Sequence, residues 1–255
     1  MPEEAEYFVA LCGAESLVTT DEFENLSHTL KQRTKIEIID IGVVLKPSES
    51  RGKSCHLQLA DEPALDPEKA GLVMFTSGTT GPPKCVLHSR KAVCLACKTV
   101  QQVWNIGPGD VYLSPSTPQW ISGFHNTIGE ILGGALMELC STISNPPWFW
   151  NRMKLGDVTI FSCSPAYYTK LVVFFETDIA NGPQAEREKV VNGVRNIRIL
   201  ASAGSLLAQS ISQFWANLRP RQRLLNNYGT TETMCMALDA DLTGVEPDSW
   251  VVATA

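Results

Sequence analysis

Short apolar runs alternate with amphipathic stretches along most of this chain, and that alternation constrains the fold more than any other feature. Lys35–Gly42 (KIEIIDIG) reads as a strand. So does Gly71–Thr76 (GLVMFT), a buried run that leads straight into a Gly-rich segment. From Ser89 to Trp104 the period turns helical, with Val93, Ala96, Cys97, Val100 and Trp104 on one face. DVYLSP reads as a strand, and SGFHNTIGEILGGALMEL as a Gly-rich helix leading into another. Val158–Cys163 is expected as a strand, after which Ser164 caps a helix carrying Pro165 in its first turn. Tyr168, Leu171, Val172 and Phe175 line that helix. NIRILASAG is the next strand, and Ser205 is expected to cap a helix whose apolar side is Leu207, Ile211, Phe214, Trp215 and Leu218. RLLNNYG opens a last strand-to-loop passage. Lys46–Pro67 and Asn181–Lys189 read as solvated loops, neither of them a domain boundary, and no internal repeat is present.

Strands alternating with helices predict an α/β fold of mostly parallel sheets layered with helices. Ligands in such folds sit outside the carboxyl ends of the strands. Three loops in that place are rich in Gly, Ser and Thr: Thr76–Lys84, Ala201–Ser205 and Tyr228–Thr233. With 255 residues, 44% hydrophobic and 19% charged, the chain can bury a sizeable core. Its net charge of −6, without a basic patch, argues against a nucleic-acid partner. Eight cysteines show no secreted-type spacing, and the lone Cys-x-x-Cys, Cys94 to Cys97, lies in a helical pattern and reads as two half-buried core residues. No apolar stretch approaches the ~18 residues of a membrane span. No signal peptide is visible, so the expected location is cytoplasmic. Oligomeric state is not legible.

The first of the three loops, FTSGTTGPPKCVLH from Phe75 to His88, is built for backbone to approach something small and anionic. Thr76, Ser77, Thr79 and Thr80 supply hydroxyls, while Gly78 and Gly81 remove the Cβ that would hold a phosphate away. Successive N–H groups there form an anion-binding concavity, Lys84 adds one positive charge, and Pro82 and Pro83 stiffen the exit. It is not a Walker A loop, because Pro83 and Cys85 flank the lysine. In the third loop Tyr228 offers a flat face to a base, Thr231 a hydroxyl, and Glu232 a hard oxygen suited to Mg²⁺. Together the loops outline a nucleoside triphosphate site.

These residues resemble a known family. TSGTTGPPK (Thr76–Lys84) resembles the phosphate loop of the adenylate-forming superfamily, which includes acyl-CoA synthetases, luciferases and peptide-synthetase adenylation domains. YGTTE (Tyr228–Glu232) resembles its second signature, and ASAGSLL (Ala201–Leu207) its adenine-wall segment. TPQWISGFHN (Thr117–Asn126) is similar to the stretch bordering the acyl group. Thr79-Thr80 leans toward acyl-CoA synthetases. The resemblance implies that ATP with Mg²⁺ activates a carboxylic acid to an acyl-adenylate, which then passes to coenzyme A. Thr76–Lys84 would hold the β- and γ-phosphates, Thr231 would contact the α-phosphate or the carboxylate, and Glu232 would hold the metal. Lys84, Thr231 and Glu232 are thus the implied catalytic residues. Ala203, Gly204 and Ser205 would border the adenine, with Tyr228 and Gly229 beside it. Trp120, Phe124 and His125 would border the acyl group, although His125 reads equally well as a helix residue satisfied by a backbone carbonyl. His88 reads as structural.

The sequence also departs from the family pattern. Cys85 stands where glycine follows the lysine, and Ala201-Ser202-Ala203 stands where glycines are common. The family's ribose-binding Asp, its hinge and the lysine of its mobile C-terminal domain have no counterpart after Glu232. Residues 1–255 are therefore expected to be part of the large N-terminal domain, binding MgATP weakly and not completing adenylation alone. The alternatives are a non-catalytic remnant that binds nucleotide or a partner, and an unrelated phosphate-binding module.

Overall fold

The structure is a computed structural model and describes residues 2–41, 65–76, 81–140, 145–220, 222–234, 237–239 and 250–252. The expectations for Ser77, Gly78, Thr79 and Thr80, for most of Lys46–Pro67, and for much of the chain after Thr233 lie outside the described residues. The chain gathers into two compact units, Met1–Asp66 with Ser77–Cys85, and Pro67–Thr76 with Val86–Ala255. One division falls after Asp66, inside a segment read from sequence as no boundary.

The first unit is a small parallel β-α-β arrangement. Helix α1 (Pro2–Cys12) precedes β1 (Ser16–Thr19), α2 (Glu24–Thr34) and β2 (Glu37–Asp40), and Ser16 pairs with Glu37 at the start of the β1–β2 ladder. Helix α2 stops because Lys35 turns left-handed (φ 60°) and returns its N–H to the Lys31 carbonyl. Arg33 on α2 pairs with Glu3 and Glu6 on α1. The Tyr7 hydroxyl donates to the Pro83 carbonyl at 3.0 Å, which anchors the exit of the Gly-rich turn within this unit. Lys84 and Cys85 are exposed.

The second unit is built on five parallel strands in the order β6-β5-β7-β8-β9. These are β5 (Val111–Ser114), β6 (Leu136–Leu139), β7 (Ile160–Cys163), β8 (Ile199–Ser202) and β9 (Leu225–Asn226). Strands β3 (Ala70–Thr76) and β4 (Lys84–Ser89) form a separate ribbon, and β10 (Ala237–Asp239) pairs antiparallel with β11 (Trp250–Val252). Among the described residues six α-helices accompany this unit: α3 (Arg90–Val103), α4 (Ile121–Gly133), α5 (Pro146–Met153), α6 (Pro165–Phe174), α7 (Gln184–Asn196) and α8 (Gln209–Leu218).

Side chains alternating along each strand feed two cores, as the pleat requires. Leu113, Phe161 and Leu200 enter one cluster with Phe149, Trp150, Tyr168 and Trp215, where the Trp150 and Trp215 rings stack at 5.7 Å and 4°. Tyr112, Ile160, Ile199 and Ala201 enter another with Val100, Trp104 and Ile106. Both faces of the sheet are therefore covered, which is why its strands read as near-continuous apolar runs. At the amino ends Arg198 grips Asp110 with two hydrogen bonds, Nε to Oδ1 at 2.8 Å and Nη2 to Oδ2 at 2.6 Å, and donates to the Trp104 carbonyl. Burial pushes the Asp110 carboxyl up, but hydrogen bonds from Arg198, Gly107 and Thr159 outweigh it and hold it below the ordinary range.

Several elements differ from the sequence expectation. LMEL is strand β6, not a second helix, because Gly134 adopts φ +76° and ends α4, leaving the run to pair with β5. Residues read as a loop from Asn181 include the start of α7, whose charged exterior hides a buried stripe of Val190, Gly193 and Val194. Ser205 caps nothing, since α8 begins after Ala208. Of the Cys-x-x-Cys pair, Cys97 is buried and Cys94 is exposed. Ser164 does cap α6, accepting from the Tyr167 N–H, with Pro165 in the first turn. Among the described residues no helix is long and apolar enough to cross a membrane.

Candidate functional site

Strand order locates the site. The chain passes from β5 to β6 on one side of the sheet, then returns to lay β7 on the other side of β5. Such a switch leaves a crevice at the carboxyl ends of the diverging strands. A cleft of about 520 Å³ lies there, lined by the loops that follow β5, β7, β8 and β9.

The structure brings most of the sequence-predicted residues of this unit to that one cleft. Ala203, Gly204 and Ser205 after β8 line it, as do Tyr228, Gly229 and Thr231 after β9. The two loops are tied by the Asn227 N–H, which donates to the Ser202 carbonyl at 2.7 Å. Gly204 holds φ +95° with open space where a Cβ would stand, a conformation an L side chain resists. From α4 and the loop before it come Trp120 and His125. Gly123 sets that loop against the helix, because a Cβ there would lie 2.2 Å from the Thr117 carbonyl oxygen. Trp120 and Tyr228 are 59% and 58% exposed, so both aromatic faces are free to meet a ligand.

Three expected residues of this unit, Thr76, Phe124 and Glu232, are not among those lining the cleft. Phe124 is absent from the lining although it follows Trp120 by one helical turn. Glu232 is exposed and also outside the lining, in a turn closed by Thr230 and Thr233. Ser77–Thr80 lie outside the described residues, and Gly81 and Lys84 belong to the first unit.

Sequence reasoning missed other parts of the lining. Ser162, Cys163, Ser164 and Tyr167 enter from the end of β7. Their signal was legible in Ser-Cys-Ser-Pro, a small polar strand-to-helix turn of the same type as the flagged loops. Asn126 also lines the cleft. His88, read as structural, is buried with its Nε2 at 2.8 Å from the Thr231 carbonyl oxygen.

The cleft positions rather than titrates. No Asp, Glu, Lys or Arg is among the described residues lining it. Burial pushes the His125 imidazole down to about 4, so it is neutral at pH 7. Burial also drives the Cys163 thiol and the Tyr167 hydroxyl upward, so both keep their protons. Hydroxyls, side-chain amides, backbone groups and aromatic rings are what remains. Among the described residues no group of three or more His, Cys, Asp or Glu side chains could hold a metal. A hard cation would have to arrive with an anionic ligand and share one carboxylate, for which the exposed Glu232 has suitable oxygen donors.

Comparisons with known proteins agree on one family. The family described as AMP-binding enzyme matches residues 1–251. An acyl-CoA ligase, oryP of Aspergillus oryzae, is 26% identical over 231 residues, covering 90% of this chain and 41% of that protein. A probable CoA ligase, CCL8 of Humulus lupulus, is 26% identical over 251 residues, covering 89% and 40%. The chain thus spans about two-fifths of the length of these curated relatives. A malonyl-CoA ligase solved as a ternary product complex with methylmalonyl-CoA and AMP shares the fold with a TM-score of 0.74 at 20% identity, over 93% of this chain and 46% of that one.

Proposed function

This chain belongs to the AMP-binding enzyme family, and from that premise we propose that it carries the adenylate and acyl sites of an AMP-forming acid–thiol ligase. In that reaction a carboxylate attacks the α-phosphorus of MgATP, pyrophosphate leaves, and the acyl group of the adenylate passes to the thiol of coenzyme A. The observation that carries the reading is the convergence of Ala203–Ser205, Tyr228–Thr231, Trp120 and His125 on one crevice at the strand ends. These segments come from separate parts of the sequence, and their convergence supports one shared binding crevice. The named ligands of the similar malonyl-CoA ligase are of the same two kinds, a nucleotide and a coenzyme A thioester.

In this reading Ala203, Gly204 and Ser205 border the adenine, with Tyr228 and Gly229 against it. Gly204 gives the flat ligand room that a Cβ would take. Thr231 contacts the α-phosphate or the attacking carboxylate. Trp120 and His125 border the acyl group; neutral His125 contributes shape and hydrogen bonding without charge. The turn from Thr76 through Ser77, Gly78, Thr79, Thr80 and Gly81 to Lys84 takes the β- and γ-phosphates. Glu232 would hold Mg²⁺ together with those phosphates, and the ion's charge would offset that of the polyphosphate. Catalysis is then a matter of positioning and charge neutralisation at phosphorus.

The test is saturable binding of MgATP and of an acyl-sulfamoyl adenosine, with carboxylate-dependent ATP–pyrophosphate exchange measured alongside. Thr231→Val should weaken adenylate-analogue binding by about tenfold, the scale of one lost hydrogen bond to a charged group. A folded protein that binds neither compound would end the proposal.

A further inference from the structure

Beyond the residues that touch nucleotide in this reading lies one that touches none. His88 is the one buried residue of β4, and its neighbour Ser89 caps α3 by accepting from the Ala92 N–H. The imidazole therefore projects from a strand end that runs directly into a capped helix. Its Nε2 lies 2.8 Å from the Thr231 carbonyl oxygen, 143 residues away. A carbonyl only accepts, so the proton sits on Nε2.

That carbonyl belongs to the peptide plane joining Thr231 to Glu232. The other described donor to it, the Met234 N–H, is long at 3.4 Å. Met234 itself is held left-handed at φ 60°, a conformation that a side chain of its kind rarely adopts. The Thr230–Met234 turn thus holds one residue in a conformation it rarely adopts, and the buried imidazole contacts that turn from β4.

We propose that His88 is a positioning residue: by holding the Thr231 carbonyl it fixes the plane from which the Thr231 hydroxyl and the Glu232 carboxylate depart, and so sets how the site receives metal-bound nucleotide. The inference rests on the ligase reading for its ligand, but its geometric half stands alone. Two donorless variants, His88→Met and His88→Leu, are compared with His88→Gln, which restores an N–H of similar reach. The first measurement is hydrogen exchange of Asn227–Met234 without ligand. The second is the ratio of affinities for ATP with Mg²⁺ and ATP with EDTA.

The donorless variants should exchange faster in that segment while the core strands keep their protection. Their Mg²⁺-dependent gain in ATP affinity should fall about five- to tenfold, and Gln should recover most of both losses. Unchanged exchange in a folded donorless variant would overturn the proposal. So would an unchanged Mg²⁺ ratio, or a Gln variant no better than Met. If wild-type protein binds ATP in neither form, the ligase reading fails, and the exchange comparison still decides whether His88 holds the turn.

Discussion

Glu130 has no part in the cleft, yet it is fully buried on α4 with no hydrogen-bond partner for either carboxyl oxygen among the described residues. Burial, then repulsion from Asp110, outweighs the attraction of Arg198 and pushes its carboxyl from an ordinary 4.5 up to about 8. Between those two values the folded chain holds a proton that the unfolded chain has released. Its stability is therefore full below pH 4.5 and declines as pH rises toward 8. Glu130→Gln should match wild type in urea unfolding near pH 4 and exceed it increasingly above, by up to about 1.4 kcal/mol for each pH unit crossed. A gap independent of pH would show that the carboxyl is ionised in the native state. Neither Glu130 nor His88 was legible in the sequence. A single polar residue inside an apolar stretch has no period to announce it, and only the packing shows that it is enclosed. Gly-Ser-Thr loops are different, because their composition is itself a signal, and the loops Ala201–Ser205 and Tyr228–Thr233 both contribute residues to the lining of the cleft.

Elements were legible where both their caps and their apolar stripe follow the rules. Helix α6 was, through Ser164 and Pro165; helix α7 was not, because QAEREKVVNGVRN shows a charged exterior and only Val190, Gly193 and Val194 turn inward. The centre of that stripe is a close crossing. A Cβ on Gly193 would stand 1.7 Å from the Met153 carbonyl oxygen at the end of α5. Backbone cannot yield as a side-chain tip can, so Gly193→Ala must push the two helices apart. The expected cost is ~3 kcal/mol, read as a lowered urea midpoint with an unchanged slope. An alanine tolerated within a few tenths of a kcal/mol would mean that the helices are free to slide. Strand β6 escaped notice for a related reason. Four apolar and acidic residues after a glycine-rich helix carry no period long enough to separate strand from helix, and the parallel pairing with β5 decides the matter.

Across the whole molecule, the alternation of strands and helices was enough to reach the α/β class and the location of the cleft, since both follow from connectivity. What it left unread is which surfaces stay uncovered. Strand β6 stands at one edge of the sheet with Leu136 and Leu139 exposed, beside Ile131 and Leu132 on α4. An open strand edge flanked by apolar side chains invites pairing with another chain. The protein should self-associate with rising concentration in sedimentation velocity, and the double variant Leu136→Lys, Leu139→Lys should stay monodisperse over the same range; identical behaviour of the two would remove this edge as the cause. The opposite edge is β9, which pairs with β8 at Ala201–Leu225 and Ser202–Asn226 among the described residues. The residues that the cleft receives from Asn227 to Thr231 follow this short splice directly. A growing polypeptide can thus complete four strands of this sheet and still lack the Asn227–Thr231 wall of the cleft, and a guest that settles there also rivets the last plank of the sheet in place.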